Sequence, residues 1–264
     1  MRRILVVSDL HCGHRAGLTP PPWQYVVTPD EPERSRWGRY QRECWETYCR
    51  MVERVGAVDV LIVNGDAVDG HGSRSGGVEL ITVDMNEQAH MAAVCLSQIK
   101  AREVLMIYGT PYHTGMAEDY EDLVAAEIGA PRPRQAETIV VEGVHINIRH
   151  FVSSSIVPYG RHTAISRDKL WSWIWADMYR NQKPDVVIRS HVHYAALSYD
   201  TPLGYGIITP ALQGLGGRYG SRRCPGWVDF GITLIEVDGR DSIRPMFLHA
   251  TVTADKIAPR VIGE

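Results

Sequence analysis

Five short apolar runs in this chain each stop at a polar cluster built on Asp or His. Residues 4–7 lead into Ser8-Asp9-Leu10-His11, and residues 58–63 into Asn64-Gly65-Asp66. Residues 103–108 lead into Gly109-Thr110-Pro111-Tyr112-His113. A run from 144 ends in Arg149-His150, and one near 186–189 ends in Ser190-His191-Val192-His193. Apolar, β-branched runs of this length read as buried strands. In open α/β sheets, sites gather at the carboxyl ends of strands. Five ends carrying the same residue types restrict the fold to one that brings strand ends together. Chance would scatter these residues over helices and loops.

Helical patterns separate the runs. Trp37, Tyr40, Cys44, Tyr48, Met51 and Val52 predict a helix over about 35–55. Further helices are expected over 83–100 and 116–128, the second opened by Glu118-Asp119, which suit a helix N-terminus. Alternating strands and helices mark an α/β sheet. The second half predicts a hairpin around Glu142-Gly143, then a helix over 163–181. That helix carries Leu170, Trp171, Ile174, Trp175 and Met178 on one face, expected to be core. Strands follow near 186–189, 194–199, 205–209, 230–237 and 243–249. The Pro-rich segment 14–33 reads as a long loop, a feature that compact domains keep mainly for function. With no repeat and no linker, residues 1–264 are expected to form one mixed α/β domain, two sheets face to face and flanked by helices.

Composition narrows the function. The chain has 28 Lys+Arg against 31 Asp+Glu, a net charge of −3, which speaks against a strongly basic nucleic-acid binder. No apolar run is long enough for a membrane helix. The run at 4–7 is too short for the core of a signal peptide. Cys12, Cys44, Cys49, Cys95 and Cys224 are odd in number and dispersed, so a disulfide framework is not expected and a reducing cytoplasm is. Oligomeric state is not legible.

The 11 histidines are the unusual count. Asp9, His11, Asp66, His150, His191 and His193 together make a mixed oxygen and nitrogen donor set. Such a set suits Mn, Fe, Zn or Ni better than Ca or Mg, with Mn favoured. Asp9/His11 and His191/His193 are i, i+2 pairs, which an extended chain projects to one side. A carboxylate can bridge two ions, and two ions about 3.5–4 Å apart can clamp a phosphoryl group.

These residues resemble the motifs of the calcineurin-like metallophosphoesterases: D-x-H, G-D-x-x-D, G-N-H, a lone H and G-H-x-H. The matches are Asp9/His11, Gly65-Asp66 with Asp69, Gly109 with His113, His150, and His191/His193. The third motif, G-T-x-x-H, is most similar to phage and bacterial members. The resemblance implies a four-layer α-β-β-α sandwich with two mixed sheets. It also implies two divalent ions, one held by Asp9, His11, Asp66 and His193, the other by Asp66, His150 and His191. A hydroxide bridging the ions would attack phosphorus, His113 would protonate the leaving oxygen, and Asp69 would orient and charge His113.

The chain departs from the pattern in places. Ser190 replaces a glycine, and Gly70 stands where protein phosphatases carry a phosphate-gripping arginine. Thr110 replaces the asparagine that ligates the second ion, and Pro111 and Tyr112 then precede His113. Water or His113 itself would complete that shell, and the acid role is favoured for His113. Arg189, Arg218, Arg222 or Arg223 could replace the missing arginine, with Arg218 and Arg222 taken as substrate-binding candidates. The expected function is dinuclear metal-dependent hydrolysis of phosphate mono- or diesters, the substrate being a small molecule or a nucleic acid. The alternatives are a nuclease of the same fold and a degenerate module that binds metal or phosphate without turnover.

Overall fold

The computed structural model describes residues 1–72, 76–114, 119–155, 157–215 and 228–252. The first sheet contains β1 (Arg2–Val7), β2 (Val58–Asn64), β3 (Ala101–Ile107), β9 (Phe230–Val237) and β10 (Ile243–Ala250), in the order β10-β9-β1-β2-β3. β1, β2 and β3 are parallel neighbours, while β9 and β10 run antiparallel. Parallel neighbours need long crossovers. Here α1 (Pro32–Val55) and α2 (Met85–Leu96) supply them.

The second sheet contains β4 (Glu137–Val141), β5 (Val144–Ile148), β6 (Val186–Arg189), β7 (Ala196–Asp200) and β8 (Gly204–Ile208), in the order β4-β5-β6-β8-β7. The β4–β5 hairpin turns at Glu142 and Gly143, both with positive φ, which matches the twist of the strands. α5 (Arg161–Met178) crosses from β5 to β6.

Strand alternation assigns the layers. Ile4, Val6, Val60 and Ile62 of the first sheet share one buried cluster with Ile146, Ile148, Ile188 and Ile207 of the second. Each such side chain, fully buried, contributes about 1.5–3 kcal/mol. The intervening Leu5, Val7, Leu61 and Val63 face the opposite way, against Tyr48 of α1 and Met91 of α2. On the far side of the second sheet, Val187 and Ile208 pack on Ala164 and Ile165 of α5. The result is the expected four-layer α-β-β-α sandwich with two mixed sheets.

Some elements differ from expectation. α2 starts at Met85, because the Asp84 carboxylate accepts from the Asn86 and Glu87 N–H groups and caps it there. Of the helix expected over 116–128, residues 116–118 lie outside the described residues and the described part holds α4 (Glu121–Glu127); a turn of helix, α3 (Pro111–Thr114), lies earlier in the chain. The largest difference is α5. Leu170, Trp171, Ile174, Trp175 and Met178 do share a face, but that face is exposed. The helix lies on the sheet through Ala164, Ile165, Lys169, Ser172 and Ala176 instead. These mostly smaller residues let the helix axis approach the strands. Among the described residues, no helix is long and apolar enough to cross a membrane.

Candidate metal centre

Among the described residues, seven other than glycine have positive φ, and five of them are Asp9, His11, Asp66, His191 and His193. A left-handed L-residue costs roughly 1–2 kcal/mol, so the surrounding structure must hold these. It does so by cross-links between strand ends. Asp9 N–H donates to the Gly65 carbonyl and His11 N–H to the Asp66 carbonyl, at 2.9 and 3.0 Å. The i, i+2 pairs therefore do not converge by strand alternation, as expected from sequence. They converge because the chain leaves each strand through left-handed turns.

Two three-residue groups result. Asp9, His11 and His193 form one, and Asp66, His150 and His191 the other. In the first, His11 Nε2 and His193 Nε2 face each other at 3.2 Å. His11 Nδ1 donates to Asp69 Oδ1 at 3.0 Å, so its Nε2 presents a lone pair. In the second, His150 Nδ1 donates to the Asn64 carbonyl at 2.6 Å, which aims Nε2 at Asp66 Oδ2, 3.0 Å away. A ligating imidazole commonly gives its other N–H to such an acceptor.

The two groups adjoin. Asp9 Oδ1 lies 3.3 Å from His193 Nε2 and 3.9 Å from both His11 Nε2 and His150 Nε2. Asp9 is fully buried, yet Oδ1 has no hydrogen-bond partner, and neither has the buried His191 Nδ1. One orphaned atom thus sits in each group. A buried polar atom without a partner costs about 1–3 kcal/mol. Convergent imidazole nitrogens and orphaned donors of this kind fit divalent cations.

Charge within the site is uneven. Burial pushes the Asp9 carboxyl up, but the facing His193 and His150 outweigh it and hold it below the usual carboxylate range. Asp66 is held well below that range in the same way, His150 opposing its burial. Burial and the nearby His113 bring His11 down to about 4. His150 goes the other way: burial lowers it, but Asp66 and Asp9 together raise it to about 10.

His113 and Asp69 lie on the first group's side. Asp69, His11 and His113 make a third cluster. His113 Nδ1 donates to the Asp69 backbone carbonyl at 2.7 Å, whereas the Asp69 carboxylate Oδ1 is 3.5 Å away and engages His11. His113 is therefore oriented chiefly by the Asp69 carbonyl rather than by its carboxylate. It is not grouped with Asp66, His150 and His191. Thr110 sits on Asp66, its N–H 2.7 Å from Oδ1 and its hydroxyl 3.2 and 3.3 Å from the two oxygens.

The glycines beside the ligands are needed for space. A Cβ on Gly109 would lie 2.1 Å from Asp66 Oδ1, and one on Gly65 2.5 Å from His150 Nδ1. At Gly70, with φ +83°, a Cβ would meet the His113 carbonyl at 2.7 Å, so no arginine fits there without displacing α3. Ser190 is accommodated because its hydroxyl accepts from Asn64 Nδ2 at 2.6 Å and bonds Thr209 Oγ1 at 2.7 Å.

Three supporting residues escaped sequence reasoning. Glu121, fully buried, accepts from Ala67 N–H at 2.9 Å and Gly109 N–H at 2.7 Å, tying together the loops after β2 and β3. Burial pushes its carboxyl up to about 7. Gln88 accepts from Asp69 and Gly70 N–H and donates to the Gly70 carbonyl. Asp229 accepts from Ala195 N–H at 2.8 Å, fixing the segment after His193. Glu121 and Gln88 carried one signal, a polar residue in a helical pattern whose neighbours are buried.

The arginine candidates fare differently. Arg189 is buried, with Nε 2.6 Å from Asp168 Oδ2, and is a structural ion pair rather than a substrate clamp. Arg218, Arg222 and Arg223 lie outside the described residues.

No protein-family profile matches the chain, and no curated protein matches it. Solved structures are similar at low identity. An archaeal phosphodiesterase is 13% identical, covering 93% of this chain and 99% of that one, with a TM-score of 0.45. A single mutant of Vps29 from Entamoeba histolytica is 12% identical, covering 94% and 99%, with a TM-score of 0.44. A predicted phosphoesterase from Streptococcus pneumoniae is 12% identical, covering 94% and 98%, with a TM-score of 0.39.

Proposed function

We propose that this chain is a calcineurin-like metallophosphoesterase that hydrolyses phosphate mono- or diesters through a dinuclear metal centre. The observation that supports it most is the position of Asp9 Oδ1, buried, orphaned and within 3.9 Å of imidazole nitrogens from both groups. Asp9, His11 and His193 would hold one ion, and Asp66, His150 and His191 the other. Sharing of Asp66 between them, as the resemblance implies, is part of the proposal. Mn is the favoured ion for this donor set, with Fe, Zn and Ni as the other candidates. Paired divalent ions supply charge neutralisation at the phosphoryl oxygens and a water of lowered pKa.

The chain's own residues define access and proton transfer. Asp9, His11, Asp66 and His150 are buried, whereas His113, His191 and His193 are 19%, 32% and 19% exposed at their side chains. The ester therefore approaches past those three histidines. Because His113 Nδ1 is committed to the Asp69 carbonyl, Nε2 is the atom that can give a proton to a leaving oxygen. Of the groups that could follow a phosphate backbone, Arg132 and Arg134 pair with Asp122 and Glu137, Arg161 lies over the Tyr194 ring, and the 218–223 loop is outside the described residues.

The test is hydrolysis of an aryl phosphate monoester and diester by Mn-loaded protein. Turnover lost in His191→Ala is expected. A second reading, a module that binds metal or phosphate without turnover, draws on Thr110, whose N–H and hydroxyl occupy the Asp66 carboxylate. Protein that takes up two ions yet leaves both esters intact would favour it.

A further inference from the structure

The outward face of α5 is an extended apolar surface that the fold leaves uncovered. Leu170, Trp171, Ile174, Trp175, Met178 and Tyr179 are between 37% and 71% exposed. They recur as adjacent pairs every four residues, so they form one stripe along the helix. The opposite face already satisfies the sheet through Ala164, Ile165, Lys169, Ser172 and Ala176. A helix that is apolar on both sides is normally buried on both. With aromatic side chains covering 150–250 Å² each, these exposures amount to roughly 600 Å². Monomeric proteins rarely leave a patch larger than about 300–600 Å².

The rings are held in place. Trp171 and Trp175 lie with centroids 6.0 Å apart, and the Arg149 guanidinium sits 5.9 Å from the Trp175 centroid. Ordered rings lose less entropy on docking.

We propose that this stripe is a two-fold interface with a second copy of the chain. A two-fold axis between residues 172 and 173 packs the helices antiparallel. Leu170 then faces Trp175, and Trp171 faces Ile174, so larger and smaller side chains alternate across the contact. A patch that complements itself in this way closes as a dimer. Charge agrees with the antiparallel arrangement. Exposed Arg167, which donates to Ser153 Oγ, heads the stripe, in line with Ile174 and Met178, and exposed Asp177, paired with Lys183 Nζ at 3.1 Å, edges its other end. The axis brings Arg167 of one copy beside Asp177 of the other, whereas parallel packing would set like charges together. Two patches bury about 1,200 Å², the lower limit for a specific interface. A lipid surface is the competing occupant. A helix on a membrane is edged by Lys and Arg, as this stripe is by Arg149, Arg167 and Arg180, whereas Asp177 and the net charge of −3 oppose that occupant.

Sedimentation equilibrium of the full chain tests the proposal. The wild type is expected at twice the chain mass. Trp171→Asp, at an exposed position, is expected to be monomeric with unchanged circular dichroism, the dimer weakened about 30-fold or more, as for an interface hot spot. Arg167→Glu should weaken the dimer, and adding Asp177→Arg should restore it. A wild type that is monomeric at every concentration overturns the proposal. So does a dimer that Trp171→Asp leaves intact. A monomer that co-sediments with phosphatidylserine vesicles, and loses this in Trp171→Asp, overturns it in favour of the membrane.

Discussion

Asp9 Oδ1 lies 3.9 Å from His150 Nε2, although Asp9 follows β1 of the first sheet and His150 follows β5 of the second. This contact joins the two candidate ligand groups into one centre. The same junction is held from the other side, where His191 N–H approaches Asp9 Oδ2 at 3.3 Å. Both sheets therefore deliver their strand ends to a single carboxylate.

Proton balance at His150 gives the first prediction. Its folded value is raised from 6.5 to about 10. A raised value means that the stability from the His150–Asp66 pair is fully present below pH 6.5 and is lost as pH rises through about 10. The melting temperature of metal-free protein should fall across that window, and His150→Gln should flatten the fall. An ion binding there must expel the proton. Uptake at neutral pH should therefore release a proton and tighten as pH rises, read by calorimetry in two buffers of different ionisation enthalpy. Binding without proton release would refute the assignment.

His113 is predicted to act on the leaving group. General acid catalysis is worth about 10²–10⁴-fold. His113→Gln should lose rate of that order on esters with alkyl leaving groups and keep most of it on aryl esters, whose leaving groups need no proton. Equal losses on both would contradict the role.

How far the site was legible depends on what each residue has to do. Asp9, His11, Asp66, His150, His191 and His193 were legible as a set, because paired carboxylates and imidazoles at strand ends have few other uses. β1, β2 and β6 were legible because buried β-branched runs have one solution. The left-handed turns at Asp9 and His11 were not, since nothing in an i, i+2 pair distinguishes them from an extended strand. Periodicity showed which α5 residues share a face, but not which of two apolar faces meets the sheet. Ala164, Ser172 and Ala176 won because small side chains permit close approach. Arg189 read as a clamp, but its partner Asp168 lies 21 residues away on a helix facing the sheet.

Glu121 was invisible for the same reason, being 54 residues from Ala67, to which it bonds. Glu121→Gln replaces one acceptor oxygen by a donor and leaves a buried N–H unpaired. We expect a stability loss of about 1–3 kcal/mol. Ion affinity at the Asp66 group should weaken about 10–100-fold, as when a residue that orients a ligand is lost. Thermal melts and ion titration of the variant measure both, and unchanged affinity would show that the clamp is dispensable.

Gly109→Ala tests the tight packing at the centre. The added methyl would sit 2.1 Å from Asp66 Oδ1 and 2.3 Å from Asp66 N. Overpacking of this kind costs roughly 1–3 kcal/mol. Asp66 must shift, so ion binding by Asp66, His150 and His191 should be lost, and binding by Asp9, His11 and His193, which would share Asp66, should weaken. A variant that still takes up two ions would show that Asp66 has more room than the structure gives it.

The most direct test of the account is a titration of Mn into metal-free protein while hydrolysis of an aryl phosphodiester is followed. Turnover is predicted to stay near zero through the first equivalent, rise with the second and level off at two ions per chain. Activity that saturates at one ion, or two ions bound with neither diester nor monoester hydrolysed, would contradict it.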